Sequence, residues 1–139
     1  MVVDPATPHG AHADQRLRRA VVIWLTTIRP DGQPQTSPVW FLWDGAGILI
    51  YSEPHAQKVR NIEANPTVSL NLDGDGEGGD IVSLEGGAEI VEGGPLAIDV
   101  GDYVEKYREY IARLGSEPEP FAHRYSTAIR VSPSRLRVY

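Results

Sequence analysis

The segment Ala20–Ile28, AVVIWLTTI, constrains the fold of this chain more than any other. Its residues are β-branched, aliphatic or aromatic, and the turn sequence Arg29-Pro30-Asp31-Gly32 ends it, which predicts a strand. Because successive strand residues point to opposite faces, this strand is predicted to be buried on both. A sheet with one face in water cannot satisfy that requirement, so the strand has to lie in a closed or covered sheet.

Further strands follow the first at short spacing. A second strand, Pro34–Trp43, forms a hairpin with the first, and a third, Ile48–Ser52, extends them into an antiparallel meander. Four later segments are also predicted strands, namely Thr67–Leu72, Asp80–Val91, Ser126–Val131 and Leu136–Tyr139. Six or seven strands in so short a chain favour a small antiparallel barrel.

Two segments change to a helical period. Glu53–Ala64 places Val59 and Ile62 on one side of a predicted helix. A second helical stretch follows Gly93-Gly94-Pro95 and extends to about Leu114, and a polar loop is predicted between it and the strand that begins at Ser126. The fold class predicted is therefore α+β, mainly β with two main helices. Either these helices or a second copy of the chain must cover the outside of the barrel, and we expect a homodimer.

The amino-terminal segment carries no hydrophobic period. We predict a flexible tail over residues 1–13, then a short basic helix Gln15–Arg19 with Asp14 as its N-cap. With 139 residues, the chain has the size of one domain, and residues 14–139 are predicted to form it.

Composition excludes several classes of function. The net charge of −6 argues against nucleic acid or an anionic membrane as a partner. The absence of cysteine removes disulfides, thiolate nucleophiles and cysteine metal sites, and it fits a reducing compartment. With neither an export signal nor a long apolar segment in the sequence, we expect a cytoplasmic location.

Common hydrolytic and metal motifs are also missing. No G-x-S-x-G sequence is present, and three or four metal ligands cannot be collected without the tail histidines, so no metal site is predicted. The glycine-rich segment Gly74–Asp80 carries three acidic residues and runs into a strand, which disfavours a phosphate loop. We predict a solvated hairpin tip there.

Two segments combine features that suit an anionic ligand. In Gln35–Phe41, Pro38 has no N–H to donate, so backbone groups beside it can face a ligand. After Tyr51, the predicted helix directs its N-terminus, with Ser52 as a possible cap, at the same region, and such ends attract anions. Lys58 lies one turn into that helix and is one of only two lysines. The alternative is that Lys58 and Arg60 are simply solvated helix charges.

These segments resemble a known family. The sequences TIRPDGQPQTSPVWFLWDG, YSEPHAQKVRNIEANPTVSLNLDGDGEGGDIV and DVGDYVEKYREYI are similar to those of the split β-barrel superfamily of flavin and deazaflavin binders typified by pyridoxamine 5′-phosphate oxidase. Within it, the chain resembles an actinobacterial group of probable coenzyme F420-dependent enzymes. The likeness extends from about Arg16 to Tyr139 and rests most on K-x-R-N-I-x-x-N-P-x-V-S-L.

The resemblance implies a six- to seven-stranded antiparallel split β-barrel that forms a homodimer with the cofactor site at the interface. It implies that Ser37, Pro38, Val39 and Trp40 flank the cofactor ring. It further implies that Ser52, Lys58 and Asn61 meet its phosphate. One departure is that relatives often carry a second basic residue just before the lysine, where this chain has His55-Ala56-Gln57.

The function that the resemblance implies is an oxidoreductase. It would transfer a hydride between reduced deazaflavin coenzyme F420 and a small conjugated or apolar substrate. Two alternatives stay open: an FMN-binding oxidoreductase of the same fold, and a non-catalytic binding or carrier protein for a flavin, haem or tetrapyrrole. No general acid or nucleophile stands out in the sequence, and hydride chemistry at a bound ring does not require one.

Overall fold

A single antiparallel sheet organises the chain. The computed structural model describes residues 1–139 and contains seven strands in the order β2-β1-β5-β6-β7-β4-β3. The strands are β1 (Val22–Ile28), β2 (Pro34–Trp40), β3 (Leu42–Trp43), β4 (Ile48–Ser52), β5 (Thr67–Asn71), β6 (Val82–Ile90) and β7 (Thr127–Val138). Every pairing is antiparallel, which confirms the mainly β, α+β prediction.

The sheet closes into a barrel that is split at one place. Its edge strands, β2 and β3, are consecutive in the chain and are separated only by Phe41, so the two edges must lie side by side. β2 also contacts β4 across this opening. The predicted second strand Pro34–Trp43 is therefore wrong in one respect, because it breaks at Phe41 and its two parts pair with different neighbours.

A tyrosine occupies the break. The last β1–β2 pair is Val22 opposite Trp40, so Val21 and Phe41 would pair next. Instead, the Tyr107 hydroxyl accepts a hydrogen bond from the Phe41 N–H (2.8 Å) and donates one to the Val21 carbonyl (2.7 Å). Tyr107 is completely buried, and burial raises the pKa of its phenol, which therefore stays protonated. The Tyr107 hydroxyl thus replaces the backbone hydrogen bonds that Val21 and Phe41 would otherwise form with each other.

Lys106 completes the hydrogen bonding at the break. Its ammonium donates to the Phe41 carbonyl (2.8 Å) and lies 4.0 Å from the centre of the Phe41 ring. Burial lowers the pKa of Lys106 to about 8, because water is partly excluded from the charged form. Both polar groups of the Phe41 backbone are therefore satisfied by side chains.

Helices cover the barrel from two directions. They are α1 (Pro8–Arg19), α2 (Gln57–Ala64), α3 (Gly101–Arg113) and α4 (Pro118–Arg124), with a 3₁₀ turn at Ala97–Asp99 before α3. Leu17 of α1 and Val59 and Ile62 of α2 belong to the apolar cluster that fills the barrel. The helices α3 and α4 build a second apolar cluster outside it, which includes Tyr103, Tyr107 and Phe121.

The amino-terminal segment differs from its prediction. Thr7 caps α1 by accepting from the Gly10 N–H (3.0 Å), so the helix begins at Pro8 and the predicted loose tail over residues 1–13 is wrong. Val3 and Ala13 are buried in the barrel cluster. Asp14 lies within the helix instead of capping it, and its carboxylate accepts from the Trp43 indole (2.8 Å) and from Arg18 (3.0 Å). These bonds lower the pKa of Asp14.

The carboxyl-terminal half shows two further differences. The predicted strands Ser126–Val131 and Leu136–Tyr139 are one strand, β7, since Ser132-Pro133-Ser134 forms an irregularity in the ladder instead of a turn. Pairing shifts there between Glu85 and Gly86, and a side chain at Gly86 would collide with the Ser132 carbonyl. The second difference is α4, which occupies a segment predicted to be a polar loop.

Burial along β1 alternates strictly. Ile23, Leu25 and Thr27 are buried, whereas the residues between them are only half-buried. Within a single chain the outer face of this strand is therefore only half-buried, and its predicted burial depends on a second copy of the chain that covers it. None of the helices has the length and apolar composition needed to cross a lipid bilayer, and the cytoplasmic location stays a prediction.

We expect Tyr107→Phe to lower the free energy of unfolding by about 1–3 kcal/mol, because it leaves the buried Phe41 N–H without an acceptor. Chemical denaturation monitored by tryptophan fluorescence measures the change. Tyr110→Phe is the matched control, since it removes a half-buried hydroxyl from the same helix that has no hydrogen-bond partner in the protein. Equal stability of the two variants would contradict the role assigned to Tyr107.

Candidate functional site

A cavity of about 420 Å³ opens beside the split in the barrel. Its walls come from the ends of β2 and β4, the segment that leads into α2, and the helices α3 and α4 with the residues that follow them. The break at Phe41 separates β2 from β3 at this place, so the cavity lies where the sheet is not continuous. This position leaves room for a ligand that a closed barrel would exclude.

Five of the twelve residues that line the cavity are aromatic. They are Trp40, Tyr51, Tyr103, Phe121 and Tyr125. The Trp40 ring stacks on Tyr107 at 4.8 Å between centroids with an interplanar angle of 9°, and on Phe121 at 5.5 Å and 22°. These contacts hold the Trp40 ring in one orientation. Planar conjugated molecules suit a wall of this kind, because they can stack on it.

Two tyrosines of the wall, Tyr51 and Tyr103, are neutral. Burial raises the pKa of Tyr51, with a smaller contribution from the Asp99 carboxylate, and burial raises the pKa of Tyr103. Both phenols therefore keep their protons at physiological pH and can act as hydrogen-bond donors. The Tyr51 hydroxyl already donates to the Pro95 carbonyl (2.7 Å).

One end of the cavity is suited to an anion. Lys58 is half-buried in its wall and takes part in none of the ion pairs of the structure. The first residues of α2, Gln57 and Lys58, also present N–H groups with no acceptor in the protein, and no acidic residue lies in that turn. An unpaired ammonium beside free N–H groups at a helix start is a donor set that suits phosphate.

The mouth of the cavity carries an ion pair. Glu53 lines the cavity, and its carboxylate lies 3.5 Å from the Arg124 guanidinium on α4. Both side chains are well exposed, so this pair contributes little stability. Arg60 does not share the cavity with Lys58, because it binds back to the His55 carbonyl (2.7 Å) and the Gln57 side chain.

Five of the seven predicted site residues line the cavity. These are Pro38, Val39, Trp40, Ser52 and Lys58. Ser52 does not cap the helix, because α2 begins at Gln57 with Ala56 as its N-cap and the Ser52 hydroxyl donates to the Glu53 carbonyl (3.0 Å). Ser37 and Asn61 are not part of the wall.

Asn61 is committed to the interior. Its side chain is completely buried, and its amide donates to the Thr27 hydroxyl (3.0 Å) and the Gln35 side chain (3.1 Å). Its carbonyl oxygen accepts from Gln57 (2.8 Å). These bonds join α2 to β1 and β2 and leave the amide away from the cavity. Ser37 lies in the β2 ladder opposite Leu25.

The sequence analysis missed the cavity residues that α4 and the position after it supply. Phe121 and Tyr125 belong to α4 and the residue after it, in the segment predicted to be a loop. A signal for this helix was present, since Pro118 stands at its first turn, Glu119 follows, and His123 and Arg124 end it. The many polar residues of the segment concealed it.

Comparisons with known proteins agree with this geometry. The family model described as pyridoxamine 5′-phosphate oxidase matches residues 10–139. A solved structure described as an F420 reductase is similar, with 28% identity, a TM-score of 0.68, and coverage of 89% of this chain and 94% of that one. A conserved hypothetical protein from Mycobacterium tuberculosis is 29% identical, with a TM-score of 0.72, over 96% of this chain and 84% of that one.

More distant structures share the fold alone. One is HutZ, described as the haem storage protein from Vibrio cholerae, with 20% identity, a TM-score of 0.63, and coverage of 99% of this chain and 95% of that one. No curated protein matches the chain in sequence.

We expect Asn61→Ala to destabilise the fold, by about 1–3 kcal/mol, because it removes the partner of the buried Thr27 hydroxyl and the hydrogen bonds that join α2 to β1 and β2. Thermal and denaturant unfolding measure the effect. The control is Asn71→Ala on β5, whose side chain is exposed and should change stability by less than about 0.5 kcal/mol. An Asn61→Ala variant as stable as this control would show that the residue is free to serve another role.

Proposed function

The chain belongs to the pyridoxamine 5′-phosphate oxidase family, and we propose that it is an oxidoreductase that uses deazaflavin coenzyme F420. The reaction is hydride transfer between the reduced coenzyme and a small conjugated or apolar substrate. One observation carries the proposal: an aromatic cavity and a phosphate-compatible donor set lie side by side at the split. A ring joined to a phosphate needs both features in one place.

The chemistry of the cavity residues fits such a coenzyme. Trp40, Pro38 and Val39 offer one wall to a ring, and Lys58 with the first N–H groups of α2 offers donors to a phosphate. When bound, the coenzyme supplies a hydride donor, so the protein has to bind, orient and exclude water. The wall residues are mostly apolar and suit the last of these tasks.

The choice of the deazaflavin over other ring cofactors is supported by similarity. The F420 reductase that resembles this chain matches it over nearly the whole of both lengths. FMN combines an isoalloxazine ring with a phosphate and would meet the same cavity residues, so an FMN-dependent oxidoreductase is the first alternative. A non-catalytic carrier of a flavin, haem or tetrapyrrole is the second.

Titration of the purified protein separates these functions. Quenching of tryptophan fluorescence reports the binding of coenzyme F420 and of FMN, because Trp40 lines the cavity. The proposal expects tight binding of the deazaflavin and oxidation of its reduced form by at least one quinone or enone. Tight binding of FMN alone would overturn the choice of cofactor, and binding without turnover across a panel of acceptors would identify a carrier.

We expect Lys58→Ala to weaken binding of coenzyme F420 by about ten- to a hundredfold, because a hydrogen bond to a charged group contributes about 1.5–3 kcal/mol. Equilibrium titration at two salt concentrations measures the loss, and Lys58→Arg should restore part of it. Arg108→Ala, which removes one positive charge from an exposed site on α3, is the matched control. Equal affinities for the Lys58→Ala and Arg108→Ala proteins would place the phosphate elsewhere.

The outer face of β1 and β2 supports the proposal that the protein is a homodimer. Val22, Trp24 and Ile28 lie on this face, and the β2 residues opposite Trp24 and Ile28 are Pro38 and Pro34. The helix α2 contacts β1 from the other face, through Asn61 and Thr27. We propose that a second copy covers this apolar face, which adjoins the cavity at Pro38 and places the cofactor site at the interface.

Light scattering should therefore give twice the 15.3 kDa of the chain at micromolar concentration. Trp24→Arg is expected to shift the protein toward the monomer, because it buries a charge in the proposed interface. Ile98→Arg, at an exposed apolar residue of the 3₁₀ turn, is the control and should leave the mass unchanged. A mass of one chain for the unmodified protein would rule out the dimer.

A further inference from the structure

The Tyr103 hydroxyl has no hydrogen-bond partner, although the residue is only 1% exposed. Its ring packs edge-on against Tyr51 at 5.1 Å between centroids, and against Tyr107 at 4.9 Å with an interplanar angle of 41°. Both neighbours use their hydroxyls within the protein, Tyr51 on the Pro95 carbonyl and Tyr107 at the break in the barrel. Tyr103 is the exception among these three buried phenols.

The unpartnered oxygen opens to the cavity. No completely enclosed side-chain nitrogen or oxygen atom of the structure lacks a partner, so the Tyr103 oxygen must reach open space. The open space that Tyr103 borders is the cavity beside Trp40. A buried donor left unpaired in the protein costs free energy, and such groups occur where a ligand or an ordered molecule completes the bonding.

We propose that the Tyr103 hydroxyl donates a hydrogen bond to a carbonyl oxygen of the molecule bound in the cavity. This inference rests on the proposed function only for the identity of the bound molecule. The carbonyl has two possible sources, the ring system of the coenzyme and a substrate such as a quinone or an enone. Both present an uncharged acceptor attached to a conjugated system, which the aromatic wall can stack.

The neutral Tyr103 phenol suits an uncharged acceptor whose conjugated carbonyl a hydrogen bond can polarise. Burial of the residue raises the pKa of the Tyr103 phenol, which keeps its proton and can donate a hydrogen bond. A hydrogen bond to a carbonyl conjugated with a double bond draws electron density toward the oxygen. Such a bond orients an acceptor and makes its conjugated carbon more receptive to a hydride.

The test measures melting temperature and ligand affinity in matched tyrosine-to-phenylalanine variants. Tyr103→Phe removes a hydroxyl without a protein partner, so the melting temperature of the unliganded protein should stay unchanged or rise. Tyr51→Phe removes a hydroxyl from the same cavity wall that is bonded to Pro95, so its melting temperature should fall. A residue with a purely structural role would not give an unchanged or higher melting temperature together with weaker binding.

Binding is measured by fluorescence quenching with coenzyme F420, FMN and menadione, a quinone whose only polar atoms are two carbonyl oxygens. For the probe whose carbonyl meets the hydroxyl, Tyr103→Phe should bind about three- to tenfold more weakly. Tyr110→Phe, which removes a hydroxyl of the same helix outside the cavity, should bind like the unmodified protein. A loss confined to the coenzymes assigns the carbonyl to the ring, and a loss confined to menadione assigns it to the substrate.

Two results would overturn the inference. The first is a Tyr103→Phe protein as destabilised as Tyr51→Phe. The second is that Tyr103→Phe changes the affinity for none of the probes, which includes the case in which none of the three binds. Failure of the proposed function looks different. In that case the unmodified protein binds neither F420 nor FMN, while the effect of Tyr103→Phe on menadione remains.

Discussion

The rest of the structure depends on the hydrogen bonds that the Tyr107 hydroxyl makes at Phe41. A seven-stranded sheet with consecutive edge strands has to change partners within one residue, and the backbone of that residue loses its ladder bonds. Buried backbone groups must be satisfied, and here a phenol from α3 and the Lys106 ammonium do so. The barrel can therefore split without exposing polar backbone to an apolar core.

The same tyrosine connects the fold to the site. Its hydroxyl binds the backbone of Phe41, and its ring stacks on Trp40. Trp40 directly precedes Phe41 in the chain and lines the cavity. The helix α3 also supplies Tyr103 on the cavity side of this layer. Because one helix holds both the break and the wall, the cavity has a rigid inner side that does not require a ligand to form it. Preorganisation of this kind is what binding a planar ring demands.

Local patterns predicted the strands well and the places where strands change partners poorly. The third predicted strand, Ile48–Ser52, is correct to the residue, since its apolar content and flanking turns are local signals. The break at Phe41 and the irregularity at Ser134 depend on which strand lies opposite, and no local pattern records that. The part of helix α1 before Gln15 was missed because its burial comes from the barrel end that it covers, through Ala13. The resemblance implied that Asn61 meets the phosphate, whereas the structure uses its amide in the interior to join α2 to β1.

The charge of the chain requires that the proposed contact between Lys58 and an anion act at short range. The chain carries a net charge of −6, so its overall field repels a phosphate at a distance. Most of its arginines already form ion pairs with carboxylates, as Arg130 does with Asp44 and Arg124 with Glu53. Lys58 is half-buried and unpaired, and charges in such places are screened less by salt than those on the surface. An anion attached to a stacking ring gains both contacts at once, whereas a free anion gains only one against the same repulsion. If Lys58 binds the phosphate as proposed, the arrangement would therefore favour ring-linked phosphates over inorganic phosphate.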